Sequence, residues 1–388
     1  MFNDQRELVQ FTPARAKKKL LIAELKPKHL SLWDEQKIDG ERYIIHSDRP
    51  AKDAQGLYRN ACTSRRESEV TGRMVEKTDR VPHLMNIDLP SGSLFDNEFV
   101  SSGDIVKVDL PGKFWDMMEP GRHADFIKAL GYLPTYPHVG NTVSIMGSLG
   151  AEAVRKQEER GLIWAYCFDI ITYQKQDVRH NSQLSRRNFL HKLMENIDPA
   201  LGMILMPAWF GLSLAEKEEL FYLVTDVKGE GLIEKDPNEK YNAPSNWYKI
   251  KIDFPVDAVL TGNYEMGKEG KTGKMEGLVG TLEIGVYHHG ELLPVGWISA
   301  IMDSEAKLPE LTLRAYKGEL RGLVVECRHN GTQDKADAPL GITLRHPRYR
   351  RWRTQDKNPL DCTSMAMIVE CENDATQKVF AKKWGFEY

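Results

Sequence analysis

One short stretch of the chain carries residue types suited to covalent catalysis. Residues 35–42 read Glu-Gln-Lys-Ile-Asp-Gly-Glu-Arg, which sets Lys37 just before an Asp39-Gly40 turn and five positions before Arg42. A lysine is a nucleophile only in its neutral form, and at an ordinary pKa of about 10.4 roughly one amine in a few thousand is neutral at pH 7. We therefore expect burial and neighbouring cations to lower the pKa of Lys37. The alternative is a surface lysine beside a turn.

Four further charged residues, Glu98, Glu230, Lys249 and Lys251, lie in segments whose alternation of apolar and charged side chains predicts strands. A carboxylate in the apolar setting of Glu98 is costly to bury unless it binds something. Lys249 and Lys251 are two residues apart and would point to the same face of a strand. Taken singly, these residues are more simply explained as strand-edge carboxylates and solvated lysines. Glu234, four residues after Glu230, is expected to face solvent or to be structural.

The rest of the sequence predicts the elements that must hold these residues. The run 163–171, which contains Phe168, is almost wholly apolar and predicts a strand in the middle of a sheet. Helical spacing of apolar residues is found at 114–130, 141–160, 183–196 and 214–224. From residue 254 onward, short β-rich runs at 256–260, 280–287 and 323–327 predict a small barrel. We place a domain boundary near residues 252–254.

Composition excludes several classes of protein. The chain has 388 residues, 41% hydrophobic and 28% charged, which is an ordinary balance for a globular protein of more than one domain. No apolar run approaches the roughly 20 residues of a membrane helix, so we expect no membrane association. The five cysteines are scattered, without the spacing of a zinc site or a disulfide framework, so we expect a cytoplasmic protein.

Charge is unevenly distributed along the chain. The net charge of −3 argues weakly against a nucleic-acid partner, but residues 15–28 and 345–357 are strongly basic. The second stretch interleaves its basic residues Arg345, Arg348, Arg350, Arg351, Arg353 and Lys357 with Tyr349 and Trp352. Arginine suits the clamping of phosphate because its guanidinium group donates two parallel hydrogen bonds. The alternative is a solvated basic face.

Taken in order, these motifs resemble those of ATP-dependent DNA ligases and, more broadly, of the covalent nucleotidyltransferase superfamily. The resemblance covers residues 35–359 and rests on the stretch around Lys37, Ser64-Arg65-Arg66, Phe95-Asp96-Asn97-Glu98-Phe99, Phe168-Asp169-Ile170, Glu230-Gly231-Leu232-Ile233, Trp247-Tyr248-Lys249-Ile250-Lys251 and the basic run from Leu344 to Lys357. It implies an α+β fold: an ATP-grasp-like adenylation domain of packed antiparallel sheets and helices at 1–252, then a β-barrel OB-fold domain at 253–388.

The resemblance also implies a three-step reaction on nicked double-stranded DNA with ATP and Mg²⁺ or Mn²⁺. Lys37 would take AMP from ATP, the AMP would pass to the 5′-phosphate of the nick, and the 3′-hydroxyl would displace it. The implied site residues are Glu35 on the adenine amino edge, Phe168 stacked on the base, Arg42 and Arg65 on ribose or phosphate, Glu98 and Glu230 on the metal, Lys249 and Lys251 on the α-phosphate, and Arg345, Arg353 and Lys357 on pyrophosphate.

Three features depart from the family pattern. Residues 353–357 hold one residue more than the usual Arg-x-Asp-Lys. The sequence therefore does not decide which arginine of 345–353 takes the role of the arginine in that motif. Asn97 replaces a usual glycine, and the segment between Glu98 and Phe168 is long for a minimal ligase. Part of that segment, 103–140, either contacts DNA or forms an extra packing layer. The chain leaves no room for a large N-terminal DNA-binding domain, so it resembles the short ligases of bacteriophages and bacteria. We also expect a monomer.

Alternatives within the superfamily are an RNA ligase and an mRNA-capping guanylyltransferase, which differ in nucleic acid or in the use of GTP. A binding protein that has lost catalysis is disfavoured because Lys37, Glu98 and Glu230 are all present. An NAD-dependent ligase is disfavoured because the chain lacks a four-cysteine zinc module.

Replacing the proposed nucleophile gives the first test. We expect Lys37→Ala to abolish the covalent AMP adduct while leaving the fold intact, because a lysine at the end of a strand fills little core volume. Incubation with radiolabelled ATP followed by denaturing gel electrophoresis measures the adduct, and circular dichroism measures the fold. An adduct that persists in this variant would place the nucleophile elsewhere.

Overall fold

The chain divides into two units, residues 1–251 and 252–388. A computed structural model describes residues 13–14, 16–47, 58–68, 72, 74–241, 245–267, 276–299, 307–372 and 374–387. Within these ranges no helix is long and apolar enough to cross a membrane.

The first unit is α+β, with strands that form two main sheets and one small one. Its strands are β1 Ala16–Leu20, β2 Trp33–Gln36, β3 Glu41–His46, β4 Ala61–Glu67, β5 Met74–Glu76, β6 Leu94–Ser101, β7 Val106–Val108, β8 Leu133–Thr135, β9 Ile163–Tyr173, β10 Gln176–Asp177, β11 Met203–Leu205, β12 Ala208–Trp209, β13 Leu232–Lys235 and β14 Ser245–Ile250. One sheet has the order β1-β14-β13-β2-β12; the other runs β10-β9-β6-β3-β4-β5, with β11 also paired to β9; β7 pairs β8 separately.

The strand β9 confirms the prediction of a buried strand in the middle of a sheet. Nearly all of its residues are buried, and it pairs with β6 along its length and with β10 and β11 over shorter stretches. The apolar side chains of β9, β6 and β3 form the core of the unit together with the helix α6 (Gln183–Met194). The strand predicted around Glu98 is also confirmed as β6.

Two of the four helices predicted for this unit are each broken in two. The helices are α1 Pro82–Met85, α2 Gly112–Met117, α3 Arg122–Leu130, α4 Gly140–Met146, α5 Gly150–Arg160, α6 and α7 Leu214–Asp226. The single helix expected at 114–130 is interrupted because Pro120 offers no backbone N–H and Gly121 has φ 142°. The helix expected at 141–160 breaks before Gly150, where Leu149 is extended. Helices α6 and α7 are confirmed.

The segment 103–140, for which DNA contact and packing were both left open, packs against the rest of the unit at Phe114 and His123. Phe114 is fully buried, and its carbonyl accepts a hydrogen bond from Trp209 Nε1 at 2.9 Å. The ring of His123 is buried with its Nε2 2.7 Å from the carbonyl of Met194. These contacts support the packing interpretation for Phe114 and His123.

The second unit contains a five-stranded antiparallel sheet with the order β17-β16-β15-β18-β21. Its elements are β15 Phe254–Met266, β16 Val279–His288, β17 Glu291–Ser299, α8 Lys307–Tyr316, β18 Val324–His329, β19 Thr332–Asp334, β20 Ile342–Leu344, β21 Arg348–Trp352, α9 Ser364–Val369 and α10 Asp374–Trp384. The outer strands β17 and β21 contact each other, so the sheet curls into a barrel. The three predicted β-rich runs are confirmed as parts of β15, β16 and β18.

All five cysteines are buried, and none forms a disulfide bond. Burial raises the pKa of the Cys62, Cys167 and Cys327 thiols, and raises that of Cys362 to about 12. The scattered spacing seen in the sequence thus corresponds to cysteines that act as small core residues.

The glycine before β13 gives a prediction about the fold. Gly231 has φ +117°, and a Cβ there would lie 2.1 Å from the carbonyl oxygen of Ile250. Gly211 also has a positive φ, +73°, but a Cβ there would meet nothing within 4 Å. We expect Gly231→Ala to destabilise the protein by about 2–5 kcal/mol through strain and overpacking, and Gly211→Ala by about 1–2 kcal/mol through strain alone. Urea unfolding measures both, and equal losses would contradict the crowding at Gly231.

Candidate active site

The end of the β2–β13 ladder brings Lys37 and Glu230 together. The strands are antiparallel, with Leu232 opposite Gln36, and the N–H of Lys37 donates to the carbonyl of Gly231 at 2.9 Å. One step beyond the ladder, Lys37 Nζ pairs with Glu230 Oε2. On the far side of β13, Lys251 follows β14 and its Nζ pairs with Glu230 Oε1. One carboxylate is therefore shared by two ammonium groups.

The turn after Lys37 brings the second sheet to the same place. A Cβ at Gly40 would lie 2.3 Å from the carbonyl oxygen of Phe99 and 3.0 Å from Glu98 Cγ. Only glycine allows the backbone to approach β6 so closely. Glu98 on β6 lies opposite Arg42 on β3, so the turn places Lys37 on one sheet near charged residues of the other.

Three carboxylates oppose the expected pKa shift of Lys37. Burial lowers the pKa of this lysine, but Glu230, and to a smaller extent Glu98 and Asp39, raise it. The net shift is upward, so the prediction of a lowered pKa is wrong for Lys37. The lowered pKa belongs to Lys251, where burial and the charge of Lys37 prevail over Glu230.

Glu98 and Glu230 carry the carboxylate oxygens that a hard divalent cation prefers, and both oxygens of Glu230 are paired with ammonium groups in this structure. Burial raises the pKa of Glu98 to about 7, and the charge of Glu230 adds to the rise, against the opposing effects of Lys37 and Arg42. Two nearby carboxylates that repel each other are stabilised by a cation of charge +2. Among the described residues no group of three His, Cys, Asp or Glu side chains could hold a metal. Nucleotide and water oxygens would complete the coordination, as is usual for Mg²⁺.

Arg42 is held beside Phe168 by a carboxylate that the sequence did not single out. Its Nε donates to Asp96 Oδ1 at 2.7 Å, and its Nη2 donates to Asp96 Oδ2. The hydroxyl of Tyr241 donates to Asp96 Oδ2 at 2.6 Å. The guanidinium carbon of Arg42 lies 5.0 Å from the centroid of the Phe168 ring. The predicted phosphate or ribose ligand and the predicted base-stacking residue are thus adjacent.

Glu35 lies in a buried ionic contact on the same side of the unit. Its Oε2 is 2.6 Å from Lys235 Nζ, and its Oε1 is 3.5 Å from a guanidinium nitrogen of Arg187. Lys235 Nζ also donates to the carbonyl of Phe168 at 2.9 Å and lies 4.6 Å from the Trp247 ring centroid. Lys235 therefore links the two residues expected at the adenine, Glu35 and Phe168, because it contacts both.

The remaining predicted site residues are divided between the two units. Arg65 is on β4, and Lys249 is on β14 opposite Ile233. Lys251 lies just beyond the end of that strand. Arg345, Arg353 and Lys357 belong to the second unit, where Arg353 and Lys357 both pair with Asp257, at 3.3 and 3.5 Å.

Several residues of the site were not predicted, and the structure decides between the two alternatives for Glu234. The residues without a predicted role are Asp96, Lys235 and Tyr241, of which Asp96 belongs to a motif that carries the family resemblance. Glu234 is fully buried and pairs with Lys217 at 2.9 Å, so the expectation that it faces solvent is wrong and the structural alternative holds. The alternation of apolar and charged residues along β13 does not predict which side chains are exposed, because side chains on both faces of that strand are buried.

The comparison with known families decides the identity of the first unit. The model of the ATP dependent DNA ligase domain matches residues 14–251. The chain belongs to the ATP-dependent DNA ligase family. This family uses ATP, which agrees with the nucleotide inferred from the motifs.

Proteins named DNA ligase are among the relatives. The DNA ligase of Ignicoccus hospitalis is 29% identical over 255 residues, which cover 55% of this chain and 41% of the relative. The DNA ligase of Saccharolobus solfataricus is 22% identical over 385 residues, 88% of this chain and 55% of the relative. The chain thus spans about half the length of these relatives.

Solved structures show the same fold. Pmar-Lig_PreS3 matches 90% of this chain and 69% of its own chain with a TM-score of 0.56 and 16% identity. A structure described as "DNA binding with a minimal scaffold: Structure-function analysis of Lig E DNA ligases" matches 89% of this chain and all of its own with a TM-score of 0.53 and 17% identity. The α+β nucleotidyltransferase fold followed by an OB-fold is therefore confirmed.

The raised pKa of Glu98 predicts a pH-dependent cost to stability. Its folded-state pKa of about 7 exceeds the unfolded value near 4.3, so the folded protein binds more protons and loses stability as pH rises from about 4 to 7. We expect Glu98→Gln to melt at a higher temperature than the parent chain at pH 8, by about 2–4 °C for each kcal/mol recovered, and to lose this advantage by pH 4.

Calorimetry with a chelator present measures this difference. The control is Glu158→Gln, which changes an exposed acid on α5 and should leave the melting temperature unchanged at both pH values. A Glu98→Gln advantage that is the same at pH 4 and pH 8 would show that the carboxyl group titrates normally.

Proposed function

We propose that this chain is an ATP-dependent DNA ligase that joins 5′-phosphate and 3′-hydroxyl ends at nicks in duplex DNA. The observation that carries the proposal is the placement of Lys37 beside Glu230 and Glu98, at the meeting point of two sheets, in a member of this family. We further propose that it acts as a monomer in the cytoplasm.

In the first step, Lys37 Nζ forms a bond to the α-phosphorus of ATP, and the bond from that phosphorus to pyrophosphate breaks. The ammonium group of Lys37 must lose a proton before it can attack. Lys251, already held beside Glu230, and Lys249 would place positive charge where the α-phosphate gains negative charge. An Mg²⁺ or Mn²⁺ ion held by Glu98 and Glu230 would neutralise phosphate charge and lower the pKa of Lys37.

The base and sugar would bind among the residues that surround Phe168. The adenine ring would stack on Phe168, with Glu35 at its amino edge, held in place by Lys235. Arg42 and Arg65 would bind ribose or phosphate. Since Asp96 already fixes the guanidinium of Arg42, little side-chain freedom remains to be lost when a ligand binds.

In the later steps, AMP passes from Lys37 to the 5′-phosphate of the nick, and the 3′-hydroxyl then displaces it. In the first of these, a 5′-phosphate oxygen bonds to the AMP phosphorus and the nitrogen–phosphorus bond to Lys37 breaks. In the second, the 3′-oxygen bonds to the 5′-phosphorus, the bond from that phosphorus to AMP breaks, and the hydroxyl proton is released. Sealing of a nicked duplex with ATP and Mg²⁺ tests the whole proposal. Radiolabelled ATP compared with GTP in adduct formation separates it from a capping guanylyltransferase, and a nicked RNA duplex separates it from an RNA ligase.

The basic residues of the second unit give a prediction that separates the steps. Pyrophosphate leaves only in the first step, so residues that orient it should be dispensable later. We expect Arg345→Ala, and Arg353→Ala combined with Lys357→Ala, to lower lysyl-AMP formation by about 100-fold or more. The same variants should seal a nick that already carries 5′-linked AMP at close to the parent rate.

The control for these variants is Lys335→Ala, which removes a solvent-exposed pair with Asp337 in the same unit and should affect neither reaction. Loss of both reactions together in the arginine variants would show that these residues hold DNA or the fold, since Arg353 and Lys357 also pair with Asp257.

A further inference from the structure

We propose that Lys217 is a positioning residue that holds β2 and β13 in the register at which Lys37 meets Glu230. Its effect on the reaction rests on the proposed function, but its effect on the two strands does not. Lys217 lies on α7, outside every motif that the family resemblance uses, and it touches neither Lys37 nor Glu230 in the described contacts.

The ammonium group of Lys217 joins three points of the chain. It donates to Asp34 Oδ2 at 2.7 Å, to Glu234 Oε1 at 2.9 Å and to the carbonyl of Leu32 at 3.2 Å. The side chains of Lys217, Asp34 and Glu234 are completely shielded from solvent. A lysine has three N–H donors, and here each of them has an acceptor.

Asp34 and Glu234 are directly opposed in the ladder between β2 and β13. Like charges in directly opposed positions repel, and here water does not screen them. The second oxygen of each carboxylate accepts no hydrogen bond within the described part of the chain. Burial raises the pKa of Asp34 to about 7 even with the ammonium present. We infer that the positive charge of Lys217 offsets the repulsion between the carboxylates of Asp34 and Glu234.

The same contact favours one register. A shift of two residues keeps the side chains on their faces but moves Glu234 almost 7 Å along β2, beyond the reach of an ammonium that stays on Asp34. Both strands are only four residues long, so few backbone hydrogen bonds oppose a shift. Lys37 follows Asp34 by three residues and Glu230 precedes Glu234 by four, so the register set by Lys217 also sets the position of their ion pair.

The experiment compares Lys217→Met with two other variants. Leu220→Ala removes a fully buried side chain from the same helix and serves as a control for loss of stability without loss of charge. The triple variant Asp34→Asn, Lys217→Met and Glu234→Gln removes the cluster together with its repulsion. Circular dichroism selects a temperature at which all the variants are folded. At that temperature we measure the single-turnover rate of lysyl-AMP formation and the hydrogen exchange of amides in 32–37 and 231–235.

We expect Lys217→Met to lower the rate at saturating ATP by about 10-fold or more, since a misplacement near 1 Å can cost about 100-fold. The ATP concentration for half-maximal rate should change little, and exchange in the two segments should accelerate. The triple variant should recover most of the rate and the protection, and Leu220→Ala should keep the parent rate although it melts at a lower temperature.

Two results would overturn the proposal. One is a folded Lys217→Met variant with parent exchange in both segments, which would leave Lys217 with a role in stability alone. The other is a triple variant whose rate and hydrogen exchange are as impaired as those of Lys217→Met. Removing the repulsion between the two carboxylates would then have restored neither the rate nor the protection. If the parent chain forms no lysyl-AMP, the proposed function fails, while the exchange measurements still decide whether Lys217 sets the register.

Discussion

The sharing of one carboxylate, that of Glu230, between two ammonium groups organises the first unit around its site. Lys37 and Lys251 approach this carboxylate from opposite sides of β13. The ends of β2 and β14 and the start of β13 must therefore lie side by side in the sheet. The glycine that follows Glu230 has a backbone conformation that favours glycine, and the turn after Lys37 requires another glycine to pack against β6. The sheets, their ends and their turns are all constrained by where these few charged atoms must meet.

Buried charges are the main cost of this arrangement, and several of them are compensated by a neighbouring charge. Arg186 pairs with Asp169 in complete burial, Lys235 pairs with Glu35, and Lys217 pairs with two acids. Removing one member of such a pair leaves a charge without a partner, which costs about 3–5 kcal/mol, whereas replacing a whole pair by apolar residues is often neutral. Such contacts add little net stability. They fix side chains and strands in one arrangement, which a catalytic site requires.

The sequence predicted the positions of strands, which depend on local patterns of apolar residues. It did not predict properties that depend on contacts between distant elements. The apolar run of β9 and the alternation of β6 were sufficient to identify both strands, because a period of two is a local property. The pKa of Lys37 was predicted in the wrong direction because it depends on Glu98 and Glu230, which lie 61 and 193 residues further along the chain. The sequence left open whether Glu234 faces solvent or is structural, because nothing in it places Lys217 beside this residue. Contacts between separate elements are not a property of local periodicity.

The burial of every thiol has a practical consequence for following this protein in solution. Maleimide dyes react with accessible thiolates, and a thiol with a raised pKa inside the core is neither accessible nor ionised. A single cysteine introduced on the surface of each unit would therefore be labelled selectively, without first removing the five native ones. Fluorescence transfer between two such dyes would report the distance between the units in real time as nucleotide and then nucleic acid are added.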